Sequence, residues 1–152
     1  IGKDFAAHFA EVEVDIETGD IKVLNYVAAH DVGTAINPRL VEAQIEGCIG
    51  QGLGFALSEN MTYDAKGKLE QNSYADYKVP RALDMPKTKI IIVDSYEPSG
   101  PYGAKSVAEM AIAPVPVAIA NAVYDAIGVR VKKLPMTKDR MLAMIQEHER
   151  EG

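Results

Sequence analysis

The sequence predicts an α+β fold, with a mainly antiparallel sheet and helices packed on one side of it. Two neighbouring segments near the N-terminus alternate between apolar and polar residues, as half-exposed strands do. Later segments carry apolar residues at helical spacing, and strands do not alternate regularly with helices along the 152 residues. We therefore expect residues 1–152 to form a single domain.

The first predicted element is a β-hairpin. Residues 6–16 place Ala10 and Val12 on one face and acidic residues on the other. Residues 17–20 have the composition of a turn, and residues 21–29 return as the second strand. We interpret the acidic face as exposed to solvent, because acidic side chains are rarely buried.

The longest predicted helix spans residues 38–59. Asn37 can cap its N-terminus, and Pro38 suits the first helical position. Apolar residues recur every four positions and predict a buried stripe: Val41, Ile45, Ile49, Leu53 and Leu57. Glycine costs up to ~1 kcal/mol relative to alanine inside a helix. The glycines of this segment therefore indicate either close packing or the close approach of a bulky ligand: Gly47, Gly50, Gly52 and Gly54.

A turn-rich connection leads to a further strand. Residues 64–67 suit a hairpin loop, and residues 72–79 alternate loosely until Pro80 ends the pattern. Residues 89–93 form a short, β-branched apolar run, which predicts a buried strand.

Two more helices are predicted near the C-terminus. The first begins at Pro114 and ends at Gly128, after which residues 129–131 return as a short extended piece. Thr137 caps the second, and its charged tail is expected to fray from about Glu147. Four apolar residues should dock this helix: Met141, Leu142, Met144 and Ile145.

Composition limits the classes of partner. The formal net charge is -6 and the basic residues are scattered, so nucleic acid is not expected as a partner. No apolar run approaches the ~20 residues that span a bilayer, and no signal peptide opens the chain. We therefore expect a cytoplasmic protein without membrane contact. Because the chain starts at Ile1 without a methionine, we interpret it as a fragment or a processed subunit of a larger protein.

Metal ligands and disulfides are not indicated. Cys48 is the only cysteine, which excludes an internal disulfide and a cysteine-ligated cluster. The three histidines, His8, His30 and His148, lie far apart along the chain and lack helical ligand spacing. A zinc site is therefore not expected.

The segment from Gly100 to Glu109 carries the main chemical signal. It joins the last predicted strand to a helix, and its glycines and proline make a tight loop. Lys105 and Ser106 add a positive charge and a hydroxyl, and backbone N–H groups in such a loop can bind an anion. On these residues alone, Glu109 reads as a carboxylate that stabilises the start of the next helix.

Residue spacing excludes one common type of site and argues against another. A phosphate-binding loop needs four residues between its glycines and a glycine directly before the lysine. Here two residues separate Gly100 from Gly103, and Ala104 precedes Lys105. Ser106 lacks the flanking glycines of a nucleophile elbow, which argues against a serine hydrolase.

Six motifs, taken together in order, resemble the C-terminal part of the molybdenum-binding subunit of the xanthine dehydrogenase and aldehyde oxidase family. The loop itself is Gly100-Pro-Tyr-Gly-Ala-Lys-Ser-Val-Ala-Glu109. The other five are His30-Asp-Val-Gly33, Asn37-Pro38, Gln44-Ile-Glu-Gly47, Gln51-Gly-Leu-Gly54 and Asp76-Tyr-Lys-Val-Pro80.

The resemblance implies roles for particular residues. Glu109 corresponds to the family's active-site base beside molybdenum, and Gln51, with Gly52, to the motif that contacts the pterin cofactor. Backbone N–H groups of the loop should face this cofactor: those of Ala104, Lys105, Ser106 and Val107. The Lys105 side chain could neutralise anionic charge there or could simply be solvated.

One departure from the family pattern lies in the loop. The family commonly has K-G-V-G-E-P, whereas this chain has Lys105-Ser-Val-Ala-Glu-Met110. Ser106 and Ala108 replace glycines by small residues, so the loop keeps its course if neither position needs positive φ.

The resemblance also implies what must lie elsewhere. Related enzymes carry the remaining molybdenum-binding region, 2Fe-2S clusters and FAD on other domains or subunits, so this chain alone is expected to be inactive. The leading hypothesis is a part of a molybdenum hydroxylase that acts on an aldehyde or an N-heterocycle. The alternatives are a reductive or carbon monoxide-oxidising member of the same family, or a non-catalytic module for holding the cofactor or for assembly.

Overall fold

The structure, a computed structural model, describes residues 3–151. Within that range it contains three strands and three α-helices, joined by shorter helical turns. In chain order they are β1 (Phe5–Val14), β2 (Ile21–Asp31), α1 (Pro38–Leu53), β3 (Lys87–Val93), α2 (Pro114–Ile127) and α3 (Lys138–Glu151). The predicted α+β class is confirmed.

The three strands form one sheet in the order β1-β2-β3. β1 and β2 pair antiparallel along their whole length, as the predicted hairpin requires, with an irregularity between Glu11 and Val12. β3 pairs parallel to β2, because the connection through α1 is a crossover and not a turn. Tyr26, Ala28 and His30 of β2 are fully buried, and they mark the face against which the helices pack.

The prediction that the third strand is buried is wrong. Side chains along β3 alternate between exposed and half-buried, with Ile91 41% and Val93 44% exposed. The physical reason is its position: β3 is an edge strand, and helices cover only one face of the sheet. Residues 72–79 form bends and turns, and residues 129–131 pair with no strand among the described residues.

The first helix begins as predicted but ends earlier. The side-chain oxygen of Asn37 accepts the Leu40 N–H at 3.2 Å, which is the expected cap. Regular α-helix stops at Leu53 and a π-helical turn, Gly54–Ser58, follows. The turn widens because the Glu59 N–H donates to the Gly54 carbonyl at 2.8 Å, five residues back.

The glycines of α1 differ in what surrounds them. A Cβ on Gly52 would lie 2.5 Å from the Val115 Cβ, so this glycine is what lets α1 approach α2. Close packing therefore explains Gly52. A Cβ on Gly47 would meet nothing within 4 Å, so this glycine borders open space.

The two C-terminal helices are confirmed. α2 begins at Pro114, ends at Gly128 in the left-handed conformation (φ 73), and buries three residues completely: Val115, Ile119 and Val123. α3 buries Met141 and Ile145, and it continues past Glu147 to its last described residue without fraying.

One segment is longer and more apolar than the sequence analysis allowed. Glu109–Ile127 could cross a membrane by length and composition alone, with a mean hydropathy of 1.5. Three residues of this segment, Val115, Ile119 and Val123, are fully buried in the core, and 22% of the apolar window as a whole is buried.

Two histidines that are far apart in sequence meet on the sheet. His8 of β1 lies between Tyr26 and His30 of β2, with its Nδ1 2.8 Å from the Tyr26 hydroxyl and its Nε2 2.6 Å from the His30 Nε2. Separation along the chain was therefore no guide to separation in space. The Nδ1 of His30 is buried and finds no partner among the described residues. Burial, and then the His30 charge, lowers the pKa of His8 to about 4, and burial also lowers the pKa of His30.

We expect this histidine pair to make the fold sensitive to acid. Because the His8 pKa falls from 6.5 to about 4 on folding, the unfolded chain binds more protons between these pH values. Stability should be complete above about pH 6.5 and decline as the pH falls toward about 4. The loss should be about 1–3 kcal/mol after allowance for partial solvent exposure. Urea unfolding at a series of pH values measures it.

The matched variants are His8→Gln and His148→Gln. The first should flatten the pH dependence, and the second, which changes an exposed residue of α3, should leave it intact. Equal slopes in His8→Gln and the unchanged protein would contradict this account.

A second prediction concerns the helix contact. Gly52→Ala should destabilise the fold by about 1–3 kcal/mol because the new methyl group collides with Val115. Gly47→Ala is the control, since its methyl group enters open space and should add up to ~1 kcal/mol of helix propensity. Chemical unfolding compares the two, and a neutral Gly52→Ala variant would show that the helices can separate at no cost.

Candidate active site

The loop from Gly100 to Glu109, hereafter the glutamate loop, is attached to the chain segment that follows β2. The Lys105 N–H donates to the Val32 carbonyl, and the Thr34 N–H donates to the Gly103 carbonyl, both at 2.8 Å. The two segments thus form a short antiparallel bridge. Gly33, with φ 63, has no room for a Cβ, which would lie 2.3 Å from the Gly103 carbonyl oxygen.

A largely buried ion pair reinforces this attachment. The Lys105 Nζ lies 2.7 Å from Asp31 Oδ2, and the two side chains are only 8% and 16% exposed. The other Asp31 oxygen accepts the Ser95 hydroxyl at 2.5 Å and the Gly33 N–H at 3.1 Å. Hydrogen bonds from Lys105, Ser95 and Gly33 lower the pKa of Asp31 to about 2. The Lys105 charge is therefore neutralised by Asp31, and its side chain is not solvated.

The other end of the glutamate loop rests on α1. The Cys48 thiol donates to the Ala108 carbonyl at 3.3 Å, and the Gln44 amide approaches the same sulfur at 3.8 Å. Burial raises the pKa of the Cys48 thiol, and the negative charge of Glu109 raises it further. The short turn that begins at Glu109 packs against α1.

Glu109 itself is exposed and unengaged. It opens a short 3-10 turn, Glu109–Ala111, and α2 begins only at Pro114. The Glu109 side chain therefore does not cap α2 directly, but its place in the first turn of the helical segment Glu109–Ile127 leaves the helix-start interpretation standing. Within residues 3–151, no hydrogen bond or ion pair engages its side chain.

A groove of about 370 Å³ separates the glutamate loop from the first half of α1. Ala104, Lys105 and Val107 form one wall, and Leu40 and Gln44 of α1 belong to the other. Most of the lining is apolar, as in many small-molecule sites.

The predicted site residues of α1 lie on two different faces. Gln51 is exposed and stands two turns beyond Gln44 on the same face, next to the open space at Gly47. Gly52 is buried against α2. Neither Gln51 nor Glu109 lines the groove itself, so both stand outside it.

The backbone donors of the glutamate loop divide into two groups. The N–H groups of Ala104 and Lys105 donate to Pro101 and Val32, so they are occupied within the chain. Those of Ser106 and Val107 have no acceptor among the described residues. Only the second pair is free to bind a ligand.

Sequence reasoning missed Asp31 and Cys48 as parts of this site. Asp31 lies within the quoted motif His30-Asp-Val-Gly33, and an aspartate two residues before a glycine is a signal for a side-chain turn. No comparable signal marked Cys48, since its contact with Ala108 joins residues 60 positions apart.

A larger cavity, of about 910 Å³, lies elsewhere on the molecule. Its lining comes from the start of β2, the end of α1 and the segment from Tyr74 to Met85. No residue of the glutamate loop belongs to it.

Comparison with known proteins finds relatives among subunits of molybdenum enzymes. The chain is 39% identical over 140 residues to the aldehyde oxidoreductase molybdenum-binding subunit PaoC of Escherichia coli (strain K12), which covers 91% of this chain and 19% of that subunit. It is 35% identical over 148 residues to the carbon monoxide dehydrogenase large chain of Hydrogenophaga pseudoflava, covering 95% of this chain and 18% of that one. The chain thus spans about a fifth of the length of these curated relatives.

Solved structures agree in fold. The crystal structure of quinoline 2-oxidoreductase from Pseudomonas putida 86 superposes with a TM-score of 0.86 at 36% identity, covering 92% of this chain and 18% of that chain. The family described as molybdopterin cofactor-binding domain matches residues 3–86, more than half of the sequence. As the motifs predicted, this chain belongs to the molybdopterin cofactor-binding domain family.

Proposed function

We propose that this chain is a C-terminal portion of a molybdenum-dependent hydroxylase that acts on a carbon of an aldehyde or an N-heterocycle, with Glu109 as its active-site base. The observation that carries the proposal is the Glu109 carboxylate, which is exposed and free of partners within residues 3–151 at the junction of the glutamate loop and α1. The names of an aldehyde oxidoreductase and a quinoline 2-oxidoreductase among the relatives support both substrate classes.

The residues present fit one side of a molybdenum-pterin cofactor. The free N–H groups of Ser106 and Val107 can donate to anionic or carbonyl oxygens, and the exposed amide of Gln51 can donate and accept. Ala104 and Lys105 contribute as the wall of the groove, since their own N–H groups are occupied.

Gly52 supports the site from inside the fold. Because it lets α1 touch α2, it brings the helix that carries Gln51 close to the segment that follows Glu109. We therefore assign it an indirect contribution to cofactor binding, through the position of α1.

The protein and the cofactor have different roles in the proposed reaction. The cofactor supplies the oxidation chemistry when bound, and the chain supplies placement and proton transfer. Glu109 accepts a proton from the attacking oxygen, which strengthens that oxygen as a nucleophile, and general bases of this kind contribute about 10²–10⁴-fold in rate.

The proposal requires partners. Because the chain spans about a fifth of its relatives, the remaining molybdenum-binding region must complete the cofactor site. Electrons must then leave through 2Fe-2S clusters and FAD on partner domains or subunits. We expect no nucleic acid and no membrane in this assembly, and a cytoplasmic location goes with it.

A second candidate also has support among the comparisons. The identity to the carbon monoxide dehydrogenase large chain, 35%, is close to that with the aldehyde oxidoreductase subunit. Carbon monoxide therefore belongs in any panel of trial substrates. A non-catalytic role in holding the cofactor or in assembly would require that Glu109 is dispensable for turnover.

The decisive variant is Glu109→Gln in the complete, cofactor-loaded enzyme that carries this chain. We expect kcat to fall about 10²–10⁴-fold with benzaldehyde or quinoline, because the amide cannot take up the proton. Molybdenum content per subunit, measured by mass spectrometry, should remain unchanged.

Glu147→Gln, at an exposed position on α3, is the matched control and should turn over normally. Normal kcat in Glu109→Gln at full molybdenum content would remove the catalytic assignment. A loaded complex that oxidises neither aldehydes, N-heterocycles nor carbon monoxide would remove the proposed function.

The same variant offers a test without activity. Because the Glu109 charge helps to raise the pKa of the Cys48 thiol, Glu109→Gln should lower that pKa. The pH dependence of alkylation by iodoacetamide measures it, and Glu147→Gln should leave the profile unchanged. Identical profiles for all three proteins would mean that the Glu109 charge does not act on the Cys48 thiol.

A further inference from the structure

We propose that Asp31 is a positioning residue for Glu109, which it holds in place through Lys105 and the backbone of the glutamate loop. This inference rests on the proposed function, since it explains how the base of that function is placed. Asp31 is not itself a part of the reacting site: both of its oxygens are occupied inside the chain.

The hydrogen bonds around Asp31 form a closed set. One oxygen takes the Ser95 hydroxyl and the Gly33 N–H, and the other takes the Lys105 ammonium. The ammonium also donates to the Lys3 carbonyl at 2.8 Å. A single carboxylate at the end of β2 therefore joins the segment after β2, the segment after β3 and the glutamate loop.

The burial of this pair distinguishes it from the other ion pairs of the fold. Lys105 and Asp31 are 8% and 16% exposed, whereas Lys138 and Asp20 are 64% and 51% exposed. An exposed pair contributes little, but removal of one partner from a buried pair leaves a charge without compensation. The glutamate loop is therefore sensitive to either partner.

The path from Lys105 to Glu109 has few hydrogen bonds of its own, although the Val107 side chain packs against the core. Ser106 and Val107, which lie between them, donate no backbone hydrogen bond to any described residue. Its polar attachments lie at its two ends: Lys105 bonds to Asp31 and to the Val32 carbonyl, and the Ala108 carbonyl accepts the Cys48 thiol. Movement of the Lys105 end therefore shifts the backbone that leads to Glu109. A base must sit within a fraction of an ångström of its working position, so such movement reduces kcat.

The experiment uses the complete subunit that carries this chain, with Asp31→Asn, Lys105→Met and the double variant. Ser95→Ala, which keeps both charges, covers the case in which the stronger variants fold poorly. Asp94→Asn is the control, because Asp94 is an exposed aspartate directly after β3. The first readout is hydrogen exchange in the cofactor-free form, at the backbone amide of position 105 and at that of Ile112.

We expect both amides to exchange at least tenfold faster in Asp31→Asn and in Lys105→Met. The double variant should show no further increase, because the two residues act as one unit. Ser95→Ala should show a smaller increase, and Asp94→Asn none. In the loaded enzyme, kcat should fall at least tenfold in Asp31→Asn, with KM within twofold and molybdenum content unchanged.

Two results would overturn the proposal. Unchanged amide exchange in both charge variants and in Ser95→Ala would show that the pair does not hold the glutamate loop. Faster exchange with unchanged kcat, in an enzyme that Glu109→Gln inactivates, would show that the loop's attachment does not place the base. Normal turnover in Glu109→Gln would instead be a failure of the proposed function, and it is measured separately.

Discussion

The attachment of the glutamate loop to the end of β2 is the interaction on which the candidate site depends. Two backbone hydrogen bonds and the Lys105–Asp31 pair fix the loop beside the segment that leads into α1. Because β3 lies parallel to β2, the C-terminal ends of the two strands, Asp31 and Val93, lie side by side. The chain leaves both strands at this end of the sheet. This parallel pairing places the glutamate loop, which follows β3, beside the start of α1, which follows β2.

α1 adds the second half of the site through two different faces. Its inner face carries Gly52 against Val115 and so fixes the distance between α1 and α2. Its outer face carries Gln44 and Gln51, and Cys48, between the faces, reaches the Ala108 carbonyl. The free N–H groups of Ser106 and Val107, the amides of Gln44 and Gln51 and the Glu109 carboxylate therefore share one open surface. An open surface of this kind suits a site that a second region of protein completes.

Local signals predicted most of the fold but not how distant parts meet. The hairpin, the Asn37 cap and the glycine that ends α2 follow from residues adjacent in sequence, and the structure has them all. The parallel pairing of β3 and its exposed face depend on the crossover, which no local pattern reports. The π-helical turn after Leu53 was missed for a different reason: it is closed by a bond between Glu59 and Gly54, five residues apart, which the helical spacing of apolar residues does not report.

In the candidate site, too, the sequence indicated individual residues but not the contacts between distant ones. The motifs marked Glu109, Gln51 and the loop, because their residue types and order are distinctive. They did not mark the Lys105–Asp31 pair, whose members lie 74 positions apart, or the contact between His8 and His30 across two strands.

A structure of the complete subunit with its cofactor bound tests the central claim most directly. The account predicts a Glu109 carboxylate oxygen about 2.6–3.2 Å from an oxygen ligand of molybdenum, with the Ser106 and Val107 N–H groups on the same cofactor. A cofactor bound on any other face of the molecule, with Glu109 in open solvent, would contradict it.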